Sequence, residues 1–232
     1  MRRNKPGTSY LNGSIIQPTE RTRLKRISKN GSFDRDAIYR ILDEAFLCHV
    51  GFNTSGQPFV IPTGYARDGD QLLLHGSAAS RMLRAMACGV DVCVTVTLLD
   101  GLVLARSVFN HSMNYRSVMV FGKARVISNK HDKLAALYRL SEHIIPRRWS
   151  EVRPPNKREL KATTVLALPL EEASAKIRIG APVDDEDDYM LDVWAGVIPL
   201  RLSADLPIAD GKLKAAIPIP PSVANYKRTS GR

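Results

Sequence analysis

The sequence predicts a mainly β chain of the α+β class, an antiparallel barrel with helices on its outside. Three observations point there. Many short β-branched runs are joined by hairpin signals, three helical stretches stand apart, and strands and helices do not alternate as a doubly wound sheet requires. There is no internal repeat.

The elements follow in chain order. Asp34 is placed to cap a helix whose Ile38, Ile41, Leu42 and Ala45 form one apolar stripe. Leu47 to Asn53 reads as a strand leading to the turn Thr54-Ser55-Gly56. Pro58 to Ala66 is a second strand, and Pro62 inside it requires an edge or a position whose N–H is not needed. Arg67-Asp68-Gly69-Asp70 is a hairpin turn returning through Gln71 to His75. Ser77 to Ala87 switches to helical period. Val90 to Leu98 alternates, with Val92, Val94 and Val96 on one face. Leu102 to Phe109 and Tyr115 to Ile127 read as strands; Val118, Val120 and Ala124 share one face of the latter, Met119 and Phe121 the other. A helix over Asp132 to His143 ends at Pro146, and Pro154-Pro155-Asn156 is a loop. Thr163 to Leu170 and Ala175 to Ile179 are late strands, Asp184 to Asp188 an exposed acidic turn, and Trp194 to Leu200 the last strand.

The 232 residues suit one large domain or two small ones. Charge divides the chain. Residues 1–31 carry eight Lys and Arg against one acid and residues 201–232 six against two, which leaves twenty of each between 32 and 200. The expected organisation is a basic N-terminal arm (1–30), a folded domain (31–200) and a Pro-rich basic tail (201–232). A nucleic-acid-binding domain would carry its basic charge on the folded body, so no nucleic-acid partner is expected. No apolar run approaches the roughly 18 residues of a membrane span, and no apolar stretch follows the basic start. Cys48, Cys88 and Cys93 form no C-x-x-C pair, which fits reduced thiols in the cytoplasm.

Several chemistries are missing. There is no phosphate loop of the Walker type, no G-x-G-x-x-G after a strand, no G-x-S-x-G elbow and no H-E-x-x-H. The histidines (49, 75, 111, 131, 143) are scattered, and no metal site is expected. One local feature survives: L-L-L-H-G-S-A-A-S-R-M-L runs from a strand through Gly76 into a helix. Ser77 or Ser80 at the helix start, with Arg81 in its first turn, would bring together the groups a phosphate needs. The plainer reading is an N-cap serine and a surface arginine.

At this segment the chain resembles a family. P-F-V-I-P-T-G-Y (58–65), L-H-G-S-A-A-S-R (74–81), V-C-V-T-V-T (92–97) and N-Y-R-S-V-M-V-F-G-K-A (114–124) stand in the order and spacing of the pyridoxamine 5′-phosphate oxidase-like FMN-binding split barrels. It looks most like the branch of the nitroimidazole-resistance and flavin-nucleotide-binding proteins. The resemblance implies an antiparallel split β-barrel over 31–200 and FMN as cofactor. It implies main-chain contacts to the flavin ring from Val60, Ile61, Pro62, Thr63 and Gly64, and ribityl and phosphate contacts from His75, Ser77, Ser80 and Arg81. Tyr115, Arg116, Ser117 and Val118 would come from the second subunit of a homodimer with shared flavin sites. The sequence departs from the oxidases at Met82, where they have a basic residue, and at Ser117, where they have Gln. It also lacks their C-terminal Arg and His segment: no histidine follows His143, and the end reads Pro218-Ile219-Pro220-Pro221-Ser222, then Lys227 and Arg228. Pyridoxamine phosphate oxidation is therefore not expected.

The expectation is an FMN-dependent oxidoreductase moving two electrons at flavin N5 for a small molecule whose identity, like that of the electron donor, the residues do not name. The flavin carries the hard chemistry, so no acid–base dyad is required. His75 is the candidate catalytic side chain, as proton donor or substrate polariser; the alternative is a histidine satisfied by backbone bonds. His111 could reach the same site from the partner subunit. A non-catalytic FMN store or sensor is the second reading, and a haem- or deazaflavin-binding relative the third.

Overall fold

The Asp34 carboxylate accepts the Ala37 N–H at 2.9 Å, and the first helix follows directly from that cap. The computed structural model describes residues 14–23, 28–214 and 217–227. In chain order its elements are β1 (Gly31–Ser32), α1 (Arg35–Glu44), β2 (Leu47–Thr54), β3 (Gln57–Asp68), β4 (Gln71–Ser77), α2 (Arg81–Ala87) and β5 (Val92–Leu104). Then come β6 (Ser112–Gly122), β7 (Arg125–Val126), α3 (Lys130–Ile144), α4 (Lys157–Ala162), β8 (Thr163–Pro169), β9 (Glu172–Arg178), β10 (Gly196–Pro199) and α5 (Pro221–Ala224).

All ten strands belong to one antiparallel sheet in the order β1-β9-β6-β5-β2-β3-β4-β8-β7, with β10 paired to β5. The split in the barrel lies along β3. Residues 57–64 pair with β2, whereas Tyr65 to Asp68 pair with β4. No strand pairs with the other edge of Pro58 to Gly64 among the described residues. That is why Pro58 and Pro62, which lack an N–H, cost the sheet nothing there. Ser55 (φ 52°) and Gly56 (φ 79°) turn β2 into β3 through the positive φ pair a two-residue hairpin needs.

One core fills the barrel: Val50, Leu72, Leu74, Val94, Val96, Val118, Val120, Leu166 and Leu168 are buried there, closed by Ile38, Ile41 and Leu42 of α1 and Met82, Leu83 and Met86 of α2. A second, smaller core lies on the outer face of β4 and β8, where Leu73, Val165 and Ala167 meet Ala136 and Leu140 of α3. Strand alternation thus sends Leu72 and Leu74 inward but Leu73 and His75 under α3.

The structure corrects several boundaries. Helix α2 starts at Arg81, not Ser77, because β4 continues to Ser77 by pairing with Thr163. Val92 to Leu104 is one strand with an irregularity between Leu99 and Gly101, and the stretch to Phe109 is not strand but a loop closing in a 3-10 turn at Val108–Asn110. Tyr115 to Ile127 breaks at Gly122 into β6 and β7. Helix α4, capped by the reciprocal Asn156–Glu159 pair, follows the Pro154-Pro155 loop. Asp184 is buried, not exposed: its carboxylate accepts the Arg106 backbone N–H at 2.9 Å and its guanidinium at 3.1 Å. Part of the N-terminal arm packs on the body as well, for Ile16 is 2% exposed in the barrel core and its N–H donates to Phe33 O at 2.9 Å. Arg228 lies outside the described residues.

Candidate functional site

Two places gather the residues singled out by the sequence. The first is the free edge of β3 with the start of α2. Phe59 and Ile61 pack toward the core while Val60, 68% exposed, and Pro62 face out; Thr63 and Gly64 are half-buried. Ser80 caps α2 by accepting the Leu83 N–H at 3.5 Å, and Ser77 Oγ instead accepts the Ala79 N–H at 3.2 Å. The Arg81 guanidinium lies 4.8 Å from the Phe59 ring centroid, which ties the α2 start to the β3 edge and leaves the cation exposed. Met82, the departure noted above, is 4% exposed and belongs to the barrel core, so Arg81 is the cation that opens this helix. Gly76 makes the approach of α2 possible: a Cβ there would stand 3.0 Å from Leu83 Cδ1.

The second place is a cleft of about 530 Å³ under α3, lined by His75, Leu137, Leu140, Ser141, Ile144, Trp149, Arg153 and Thr163 among others. Its size is that of an ordinary small-ligand pocket. His75 Nδ1 is buried without a hydrogen-bond partner among the described residues. Burial disfavours its charged form and lowers its pKa, so the imidazole is held neutral. Arg153 at the rim is paired with Glu159 at 2.9 Å, and that pairing holds the Glu159 carboxyl down to about 2. The Trp149 ring that lines it meets Tyr138 edge to face, with centroids 5.8 Å apart. His75 and Arg81 are thus six residues apart, but His75 lines this cleft and Arg81 stands at the β3 edge outside it.

The β6 side chains named from sequence engage their own chain. Val118 is fully buried in its own barrel, so its side chain cannot face a neighbour's ligand. Arg116 is not a free cation: its guanidinium donates to both oxygens of Asp100 and both of Glu44 within the same chain. Hydrogen bonds to Asp100 and then Glu44 raise its pKa further. Ser117 Oγ donates to Lys176 O at 3.4 Å, and Tyr115 is half-buried beside it on the strand. His111 is turned toward its own chain, Nε2 standing 3.2 Å from Ala105 O. No group of three or more His, Cys, Asp or Glu side chains suited to a metal ion occurs among the described residues. No helix among them is long and apolar enough to cross a membrane.

An antiparallel split barrel with a strand–glycine–serine–arginine corner defines a flavin-type split-barrel fold, and comparison with known proteins agrees. A family model described as pyridoxamine 5′-phosphate oxidase matches residues 34–177, and the chain belongs to that oxidase-like family. No curated protein matches it. Among solved structures it is similar to the flavocytochrome Anf3 of Azotobacter vinelandii, at 41% identity over 90% of this chain and 97% of that one, with a TM-score of 0.85. It is similar to the FAD and haem binding protein of Mycobacterium smegmatis at 38% identity over 86% and 98%, with a TM-score of 0.83. A protein described as a 5-nitroimidazole antibiotic resistance protein of Bacteroides thetaiotaomicron matches at 25% identity over 62% and 84%, with a TM-score of 0.50.

The residues lining the second cleft were not found from sequence apart from His75. They are spread from 137 to 163 and form no local motif. The available signal was the alternation of β4, which puts His75 on the face of Leu73 and so beneath an amphipathic helix.

Proposed function

We propose that the protein is a flavin-dependent oxidoreductase that also carries haem, with the flavin along the β3 edge and the haem in the His75 cleft. The observation that carries the reading is His75, whose Nδ1 is buried without a hydrogen-bond partner among the described residues at a cleft of small-ligand size. The residues fit the group: a neutral imidazole is the usual protein ligand of haem iron. Leu137, Leu140, Ile144 and Trp149 supply apolar walls for a macrocycle; Arg153 at the rim is taken by Glu159, which lines the cleft with it. The fold and the two structures at 41% and 38% identity, a flavocytochrome and an FAD and haem binding protein, support it. The second of them names FAD where the sequence led to FMN, and Arg81 is the phosphate-binding cation for either.

When bound, flavin exchanges one or two electrons and haem one, so the pair would link a two-electron donor to a one-electron acceptor. The chain's own part is to hold them. Arg81 positions a phosphate at the α2 corner, β3 offers free main-chain groups to a ring edge, and α3 walls one side of the cleft that His75 lines. We assign the outer face of β3, β2, β5 and β6 to a second copy of the chain, giving a homodimer. Leu47, Val60 and Met119 are 48%, 68% and 37% exposed on that face, an apolar surface of the kind that marks association.

The test is a double dissociation read by absorbance. His75→Ala should lose the Soret band while keeping the flavin bands. Arg81→Ala should weaken flavin binding about ten- to a hundred-fold, for ~1.5–3 kcal/mol of charge-assisted hydrogen bonding, and keep the haem. Purified protein that takes up neither group, with no turnover of a reduced nicotinamide, would refute the assignment.

A further inference from the structure

We propose that the short helix α5 is a latch on the His75 cleft, holding its outer wall in place and so controlling what enters and leaves. The proposal rests on reading that cleft as a ligand site.

The tail leaves the sheet at Pro199, and every residue from Arg201 to Lys214 is exposed. Ser222 is then only 5% exposed. Its N–H donates to Glu151 Oε1 at 3.0 Å and its hydroxyl donates to Glu151 Oε2. Two donors on one carboxylate make a charge-assisted clasp. Pro221 at the first position of α5, with the Val223 and Ala224 N–H groups bonded to Pro220 O, fixes the turn that presents both donors.

Glu151 ends the one-turn helix Trp149–Glu151, whose Trp149 lines the cleft with Arg153 two residues on. This wall is hung at three other points. Glu142 of α3 accepts the backbone N–H of Trp149 at 3.0 Å and of Arg147, the Trp149 ring meets Tyr138 of α3 edge to face, and Arg153 is tied to Glu159 of α4. None of the wall is paired into the sheet. Between the α3 attachments at Trp149 and the α4 attachment at Arg153, the tail clasp on Glu151 restrains the stretch from Ser150 to Val152; Arg148, 3.2 Å from Glu151, comes from the same loop and cannot anchor it to anything else. Opening the clasp lets the wall move away from His75 without disturbing either core.

The experiment uses the full-length apoprotein and the rate at which diethyl pyrocarbonate modifies His75, read by mass spectrometry. Ser222→Ala and Glu151→Ala should each modify about tenfold faster than wild type, the factor that ~1.4 kcal/mol of lost hydrogen bonding converts to. Arg148→Ala should match wild type. Equal rates in wild type and both clasp variants would overturn the latch. So would Arg148→Ala accelerating as much as they do, since the loop would then be holding itself. A second readout is the transfer of bound haem to excess apomyoglobin, expected to quicken in Ser222→Ala by the same factor; unchanged transfer beside faster modification would also overturn control of the ligand. If wild type takes up no haem, the haem assignment fails, and the modification rates alone decide the latch.

Discussion

Arg116 and Asp100 are joined edge to edge: Nε and Nη2 of the guanidinium donate to the two carboxylate oxygens at 2.8 and 2.7 Å, while Glu44 of α1 takes the other edge. One arginine therefore ties the first helix to the bend in β5. Removing it leaves two carboxylates facing each other in a half-closed pocket. Arg116→Ala should destabilise the protein by roughly 2 kcal/mol, between the surface-pair and buried-pair ranges, because these side chains are about one-fifth exposed. Urea denaturation checks it. A cost close to zero would mean that the two acids relax into water.

Gly101 stands at the irregularity in β5 against β10, where a Cβ would come within 2.9 Å of Ile198 O and 3.0 Å of Val197 Cγ1. Backbone cannot yield as a side-chain tip does. Gly101→Ala should detach Gly196–Pro199 from the sheet, seen as accelerated hydrogen exchange at residues 196–200 with the barrel amides unchanged.

Ile16 fills a place in the barrel core although it precedes every regular element. Ile16→Ala should cost about 2–4 kcal/mol, as other large-to-small core changes do. Removing the first twenty residues would therefore take a core side chain away with the basic arm, and denaturation of the point variant measures its weight.

Two of the three thiols should separate cleanly. Burial pushes Cys48 up to about 12, and its Sγ–H donates to Thr63 O at 3.4 Å, whereas Cys88 is exposed on the turn after α2. Thiolate is the reactive form, so at pH 8 a maleimide should label Cys88 first and leave Cys48 unmodified until the protein unfolds. Raising the pH toward 10 should not expose Cys48, since its thiol stays protonated there. Early labelling of Cys48 would contradict its placement in the core.

What the sequence revealed was local. Asp34, Ile38, Ile41 and Leu42 announce α1 because cap and stripe lie within twelve residues, and Gly69-Asp70 announces the β3–β4 hairpin for the same reason. Asp100-Gly101 also reads as a turn and so divides β5 in two; only the pairing of β6 on one side and β10 on the other keeps the strand whole. Asp184 reads as one of several solvated acids because its partner, Arg106, is 78 residues away. Arg116 reads as a free cation reaching outward for the corresponding reason: Glu44 is 72 residues distant. Arg81 and His75 were found together as one motif, and the period of β4 then separates them onto two faces.

The first strand pairs with the ninth, Gly31 opposite Lys176. During synthesis the segment that carries Ile16 and Gly31 leaves the ribosome with nothing to pair against. Its partner follows some 145 residues later, which at about 5–20 residues per second is a wait of roughly 7–30 seconds. Until then one edge of the nascent sheet is open, and in that interval neighbouring chains compete with β9 for the same backbone groups. Recoding the message to pause before residue 172 should raise the insoluble fraction of newly made protein, whereas the same pause after residue 200 should not.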